Sequence, residues 1–144
     1  MRVIPLIADR LATIRQANGY RTDAGLRLHR GWPGHVLSEE EDALPLLAVH
    51  PETETPTASN GRARRRDRTA VIEYVVDALR TAPDELEDVY EDIRDCIVAL
   101  EAEATTIDGL HTVTQGTAEW GVPEDASAFA RLMVPVTFNI ITRS

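Results

Sequence analysis

The residue types that could perform catalytic or metal chemistry are few in this sequence, and their spacing suits neither purpose. The four histidines show no i, i+2 or i, i+4 spacing and no HExxH sequence; they are His29, His35, His50 and His111. The single cysteine, Cys96, excludes an intramolecular disulfide and any site with several cysteine ligands. No serine lies in a GxSxG turn, and no glycine-rich phosphate loop with a lysine occurs. We therefore expect no enzyme activity, no metal and no cofactor.

Arginines crowd into one short segment, which is the first feature suited to binding. All 15 basic residues of the chain are arginines, and five of them fall within seven positions; they are Arg62, Arg64, Arg65, Arg66 and Arg68. Guanidinium groups bind carboxylates or phosphates, so the segment could dock on an acidic partner or on nucleic acid. The alternative is a cluster that only keeps a hairpin soluble. We expect the segment to be mobile in the free chain and ordered on assembly.

Acidic residues cover the outer face of the longest predicted helix. They outnumber the bases there by seven to one, with only Arg94 among them; they are Asp84, Glu85, Glu87, Asp88, Glu91, Asp92 and Asp95. Like charges four positions apart destabilise a helix by a few tenths of a kcal/mol, roughly, so an arriving cation would relieve repulsion. A plain solvated face is the alternative. The candidates for partner contact are Glu87, Asp88, Glu91, Asp92 and Asp95.

The two tryptophans, Trp32 and Trp120, each stand beside a glycine in a predicted loop. A loop tryptophan either pins the loop to its own core or anchors a partner, and both roles stay open. Cys96 lies at the edge of the helix's apolar stripe, where we expect a buried, unreactive thiol. Acids at Asp92 and Asp95 should raise its pKa.

Length and charge restrict the class of protein. The 144 residues fit one domain, residues 1–144, and 24 acids against 15 bases give a net charge of −9. That balance argues against general nucleic-acid binding. The six apolar residues from Val3 to Ala8 are too few for a signal peptide, and no run approaches a membrane span. We expect a soluble protein made in a reducing cytoplasm.

Hydrophobic periodicity predicts an α+β fold, with a mixed, mostly antiparallel sheet of about five strands and two helices packed on one face. The predicted helices span residues 5–18 and 83–105, and the predicted strands span 26–29, 44–49, 67–79, 110–115 and 130–142. Long flexible loops are expected near 31–43, 51–67 and 115–127. Pro45 predicts an edge position for its strand, and Pro135 an edge or a bulge, because proline cannot donate to a ladder.

The order of the elements is itself informative. An opening helix ends at Asn18-Gly19, and two short strands and a long loop follow it. The strand 70–79, the helix opened by Pro83-Asp84, the Gly109-Leu110 turn and the final strand complete the chain. This order resembles the tail terminator (minor tail) proteins of long-tailed phages over nearly the full length.

The resemblance implies a structural virion protein that caps the tail tube as a hexameric ring and joins it to the head or neck. It implies contacts with further copies of the chain, with the tail tube protein and with a neck or head-completion protein. It also implies assembly in the host cytoplasm, no membrane contact, and DNA that passes through the ring without specific binding. A ring needs two different patches that meet head to tail. We expect the arginine segment to meet the acidic helix face of a neighbouring subunit or the next tail component.

Three other interpretations stay open. A neck or head–tail completion protein shares much of this layout. A small nucleic-acid-binding module would use Arg62–Arg68 on phosphate, with steep salt dependence. A small-molecule-binding or enzymatic α+β domain would need a pocket with convergent polar groups.

Overall fold

The computed structural model describes residues 1–39, 43–121 and 128–143, which form a six-stranded sheet and three α-helices. The helices are α1 (Val3–Leu11), α2 (Pro33–Glu39) and α3 (Pro83–Glu103). The strands are β1 (Leu28–Arg30), β2 (Leu46–Ser59), β3 (Ala63–Asp77), β4 (Leu110–Gln115), β5 (Glu119–Gly121) and β6 (Phe129–Arg143). Three single 3₁₀ turns occur at Gln16–Asn18, Ala24–Arg27 and Ala104–Thr106.

The sheet has the strand order β1-β2-β3-β6-β4, with β5 also paired to β6. The β1–β2 pair is parallel, and the other described pairs are antiparallel. The longest pairing joins β3 to β6, from Ala63 opposite Arg143 to Asp77 opposite Phe129. β4 and β5 lie one after the other along the far edge of β6. The predicted α+β class and the mixed, mostly antiparallel sheet are confirmed, with six strands.

The core lies between the sheet and the helices α1 and α3. Side chains alternate between the two faces of a strand, so every second residue of β3 and β6 faces the helices. The helix stripes and strand faces that meet there include Val3, Ile7, Leu11, Ile72, Tyr74, Val89, Ile93, Ile97, Leu132, Val134 and Phe138. Burial of each such large apolar side chain contributes about 1.5–3 kcal/mol. The predicted apolar stripes therefore do form the core.

Residues 51–67, predicted as a long loop, instead form the outer parts of β2 and β3. The prediction was wrong because the segment is polar on both faces, so its sequence lacks the alternation that marks a strand. Pairing with β6 as well as β2 supplies the backbone hydrogen bonds of β3 throughout. We call residues 52–68 the arginine hairpin.

The other predicted loops and boundaries also change. The segment predicted as the 31–43 loop contains α2, and the 115–127 loop contains β5; residues 40–42 and 122–127 lie outside the described part. α1 ends at Leu11 rather than Asn18. The first predicted strand begins as a 3₁₀ turn, Ala24–Arg27, before β1.

Pro135 lies in a central strand, and its pairing with β3 has no register shift, so the predicted edge or bulge was wrong. Its carbonyl accepts a hydrogen bond from the Gly116 N–H at 2.8 Å, just beyond the end of β4. In a strand, the N–H and the carbonyl of one residue point towards the same neighbouring strand. The nitrogen of Pro135 therefore points into the gap between β4 and β5, where no described strand residue needs its N–H. Pro45 precedes β2, and among the described residues β1 pairs with β2 at residues 47–49.

Candidate functional site

Two of the five clustered arginines are held within the chain. Arg68 donates from Nε and Nη2 to Glu54 Oε1, at 3.1 and 2.7 Å, and from Nη1 to the Met1 carbonyl at 2.9 Å. Arg66 Nε lies 3.5 Å from the same Glu54 oxygen. The hydrogen bond from Arg68 lowers the pKa of Glu54. Arg66 and Arg68 therefore brace the hairpin and are less available to a partner.

The other three clustered arginines face solvent. Arg62, Arg64 and Arg65 are exposed, and their side chains form no ion pair with any other described residue. At the turn, Asn60 Oδ1 accepts the N–H groups of Arg62 and Ala63, at 3.1 and 2.9 Å, which fixes the backbone that carries them. Arg64 and Arg65 are consecutive in β3 and so project from opposite faces. This end of the sheet therefore presents free guanidinium groups in fixed backbone positions.

Asp92, predicted on the solvated face of the helix, is fully buried, and that prediction was wrong. Its carboxylate accepts four hydrogen bonds: from the Arg21 N–H and Nη1 at 3.0 and 3.1 Å, and from the Thr22 N–H and Oγ1 at 2.8 and 2.7 Å. Asp95 shares Arg21 at 2.9 Å. The two acids therefore hold the segment after α1 against α3. The sequence spacing could have predicted this burial, because Asp92 lies on the same face of the helix as Val89 and Cys96.

The remaining acids of the helix stay free for a partner. Glu87 and Asp88 are exposed, and neither forms an ion pair within the described residues. Glu91 is half-buried and lies 3.9 Å from Arg94, a distance that permits only a weak pair. The predicted acidic face is thus reduced to the first half of α3.

These acids rim an open groove of about 710 Å³ between α3 and β5, which we call the α3–β5 groove. Its apolar lining comprises Ala78, Pro83, Leu86, Tyr90, Trp120 and Ala130. Trp120 meets Tyr90 edge to face with ring centroids 5.0 Å apart, and the Tyr90 hydroxyl accepts from Gln115 Nε2 at 3.0 Å. Trp120 is nevertheless 48% exposed. Trp120 thus packs against α3, while about half of its side chain stays open to solvent.

Trp32 lies just before α2 and stacks on His50, with ring centroids 5.4 Å apart. His50 Nε2 lies 2.8 Å from Glu73 Oε2, and Glu73 Oε1 lies 3.5 Å from Arg131 Nη1. Glu73 is buried, and its strand neighbours Val71 and Val75 are buried as well. Sequence reasoning missed this polar cluster, because three of its members come from different strands. Within the described residues, no group of three potential metal ligands comes together.

The Cys96 thiol is buried, as predicted. Burial raises its pKa to about 11. The direction agrees with the prediction, but the cause is loss of water rather than the neighbouring acids. A thiol with this pKa is a poor nucleophile near neutral pH. Within the described residues, no helix is long and apolar enough to cross a membrane.

Comparison with known proteins shows the fold. No family model matches the chain, and no curated protein matches it by sequence. A solved structure described as "Virion of native gene transfer agent (GTA) particle" contains a chain with a TM-score of 0.70 and 13% sequence identity. The likeness covers 94% of this chain and 92% of that one. The two chains therefore share one fold over almost their whole lengths.

Proposed function

We propose that this chain is a structural protein of a phage-like particle, and that it caps the tail tube as a ring where the tube joins the head or neck. The observation that carries the proposal is the end-to-end likeness to a chain of a gene transfer agent virion. The order of elements resembles that of tail terminators, which supports a position at the end of the tail tube.

The surfaces of the molecule fit an assembly role rather than a catalytic one. Free arginines lie at the hairpin end, and the acidic, aromatic α3–β5 groove lies beside α3. The proposed partners are further copies of the chain in a hexameric ring, the tail tube protein, and a neck or head-completion protein. Assembly would begin in the host cytoplasm and end in the virion.

A ring at this station must let DNA pass without holding it. The net charge of −9 per copy disfavours contact with the phosphate backbone. We therefore expect no binding of duplex DNA at physiological salt, and a mobility-shift assay measures it. Retention of duplex at micromolar protein would favour the nucleic-acid interpretation instead.

Deletion of the gene in cells that produce the particles tests the role directly. Without a cap, tube subunits should keep adding, so electron microscopy should show tails of uncontrolled length that are not joined to heads. A neck protein would leave separate tails of normal length. In the complemented strain, a gold-labelled epitope tag on the chain should lie at the head-proximal end of the tail. Normal particles without the chain, or particles that carry no label, would contradict the proposal.

A further inference from the structure

The free arginines and the α3–β5 groove lie at opposite ends of the sheet. β3 begins beside the hairpin turn and ends at Asp77, next to Ala78 in the lining of the groove. At about 3.3 Å per residue, the strand places Arg65 roughly 40 Å from Asp77. One chain therefore cannot insert its own hairpin into its own groove. A second copy can.

We infer that the arginine hairpin of one copy docks in the α3–β5 groove of the next copy, through Arg62, Arg64 and Arg65. This contact deepens the proposed function, and its closure into a ring rests on that function. The two patches differ, so the contact is heterologous: repeated head to tail, it closes a ring if the rotation closes and otherwise forms a fibre.

The chemistry of the groove suits arginine in particular. A guanidinium group can stack on an aromatic face and form forked hydrogen bonds to a carboxylate at the same time. The groove offers the rings of Tyr90 and Trp120 beside the carboxylates of Glu87, Asp88 and Glu91. A lysine could pair with the acids but could not supply the planar stack. The hairpin has no large apolar side chain, so its contribution must come from the arginines.

Charge decides between a protein and a nucleic-acid partner. The hairpin carries five arginines against Glu52, Glu54 and Asp67, and two of the five arginines are already engaged by Glu54. A DNA duplex would be attracted by this small excess of positive charge in the hairpin but repelled by the negative charge of the rest of the chain. The groove instead offers three acids and few competing cations. A second copy of the chain is thus the better electrostatic match.

The contact should be weak for a single pair of subunits and sensitive to salt. An exposed ion pair contributes no more than about fivefold in affinity, so several must act together. Raising the ionic strength to about 1 M shortens the Debye length to about 3 Å and should disperse the complex. The end of a tail tube would bind several subunits at once and so strengthen each contact.

Charge reversal with mixing tests the contact in solution. The hairpin variant is Arg64→Glu/Arg65→Glu, and the groove variant is Glu87→Arg/Asp88→Arg. Sedimentation at low salt should show self-association of the unmodified chain. Each variant alone should associate at least about tenfold more weakly, while an equal mixture should regain association, because every hairpin then finds a complementary groove. Circular dichroism and melting should stay unchanged, since all four positions are exposed.

A matched control moves the same charge change elsewhere. Arg2→Glu/Arg15→Glu adds equal negative charge at two exposed arginines that lie outside both patches and form no ion pair among the described residues, and it should associate like the unmodified chain. Unchanged association of the hairpin variant, or no recovery in the mixture, would overturn the inference.

Cross-linking tests the geometry independently. The backbones at Gly61 in the hairpin turn and Gly121 in the groove leave open space for a side chain, as does Gly34 in α2, the control position. Buried Cys96 should stay unmodified. A bis-maleimide should join Gly61→Cys chains to Gly121→Cys chains, but should not join Gly61→Cys to Gly34→Cys. A chain that neither associates at low salt nor cross-links in this way would overturn the inference.

The outcomes separate the contact from the proposed function. If the chain associates through hairpin and groove in solution but is absent from the particles, the contact is supported and the proposed function is refuted. If the chain lies at the end of the tail and the hairpin variant is incorporated as fully as the unmodified chain, the proposed function is supported and the contact is refuted. Binding of duplex DNA that the hairpin variant loses would assign the arginines to phosphate and also overturn it.

Discussion

The two halves of the β2–β3 pair differ in burial. In the half next to the helices, residues 70–76 of β3 are buried on both faces of the sheet. In the arginine hairpin, residues 52–59 of β2 are exposed, and residues 63–68 of β3 are exposed or half-buried. The same pair of strands is therefore a core element at one end and a surface arm at the other.

The difference shows what holds each half together. The helix-covered half is stabilised by apolar burial against α1 and α3. The hairpin half is held by its ladder with β6 and by polar pairs along it: Asn139 Nδ2 donates to Asp67 at 2.7 Å, and the Thr69 and Thr137 hydroxyls lie 3.0 Å apart. Substitutions in the hairpin should therefore change assembly more than folding, which is what a docking arm requires.

The largest effect on folding should come from the buried carboxylate of α3. Asp92→Ala removes the acceptor of four hydrogen bonds. The Arg21 N–H and the two Thr22 donors then lose their acceptor, while Arg21 Nη1 keeps Asp95. We expect the free energy of unfolding to fall by about 3–5 kcal/mol, because a buried donor without an acceptor costs about 1–3 kcal/mol and three donors are affected. Urea unfolding measures it. Asp95→Ala, which removes an exposed partner of the same arginine, should have a much smaller effect; equal effects would refute the structural role of Asp92.

The contrast between the strand halves can be measured directly within β2 and β3. Ile72→Ala should lower the free energy of unfolding by about 2–5 kcal/mol, because the side chain is fully buried. Thr55→Ser in the exposed half should change it by about 0.5 kcal/mol or less. Comparable losses at the two positions in thermal melts would mean that the hairpin belongs to the cooperative core.

Alkaline pH should lower the stability of the protein through two buried groups in the helix-covered half. Burial raises the pKa of Cys96 from 9.0 to about 11 and that of Tyr74 from 10.0 to about 12. The folded state thus holds protons that the unfolded state releases, so the free energy of unfolding should fall as the pH rises from 9.0 towards 11. Urea unfolding across this range measures the slope. Cys96→Ala should flatten it between 9.0 and about 11, and an unchanged slope would exclude the thiol as a cause.

The smallest effect should be local to the arginine hairpin. Glu54→Gln weakens the attachment of Arg66 and Arg68 without touching the core. Thermal melting should hardly move, while hydrogen exchange at the amides of residues 53–68 should become faster, since the hairpin then opens more often. Glu52→Gln is the matched control, because Glu52 forms no ion pair with another described residue. Faster exchange with both variants would remove the bracing role of Glu54.

Much of the fold could be predicted from local patterns. The apolar stripe beginning at Leu86 and the alternation from Ala130 to Ile140 predicted α3 and β6, and the structure confirms both. Such patterns work because they record which side of an element is buried. The free groups Glu87 and Asp88 were also recognisable from the sequence, since they lie opposite the stripe.

The sequence by itself determined the α+β class, the core residues and the two charged segments. Tertiary structure alone decided that residues 51–67 are paired strands, that Asp92 is interior, and that Trp120 lines a groove with Tyr90. The physical reason is distance along the chain: Asp92 is bonded to a segment 71 residues away, and the outer part of β3 depends on pairing with β6. A local pattern reports the burial of side chains, whereas backbone pairing and buried polar contacts depend on partners that only the folded chain brings together.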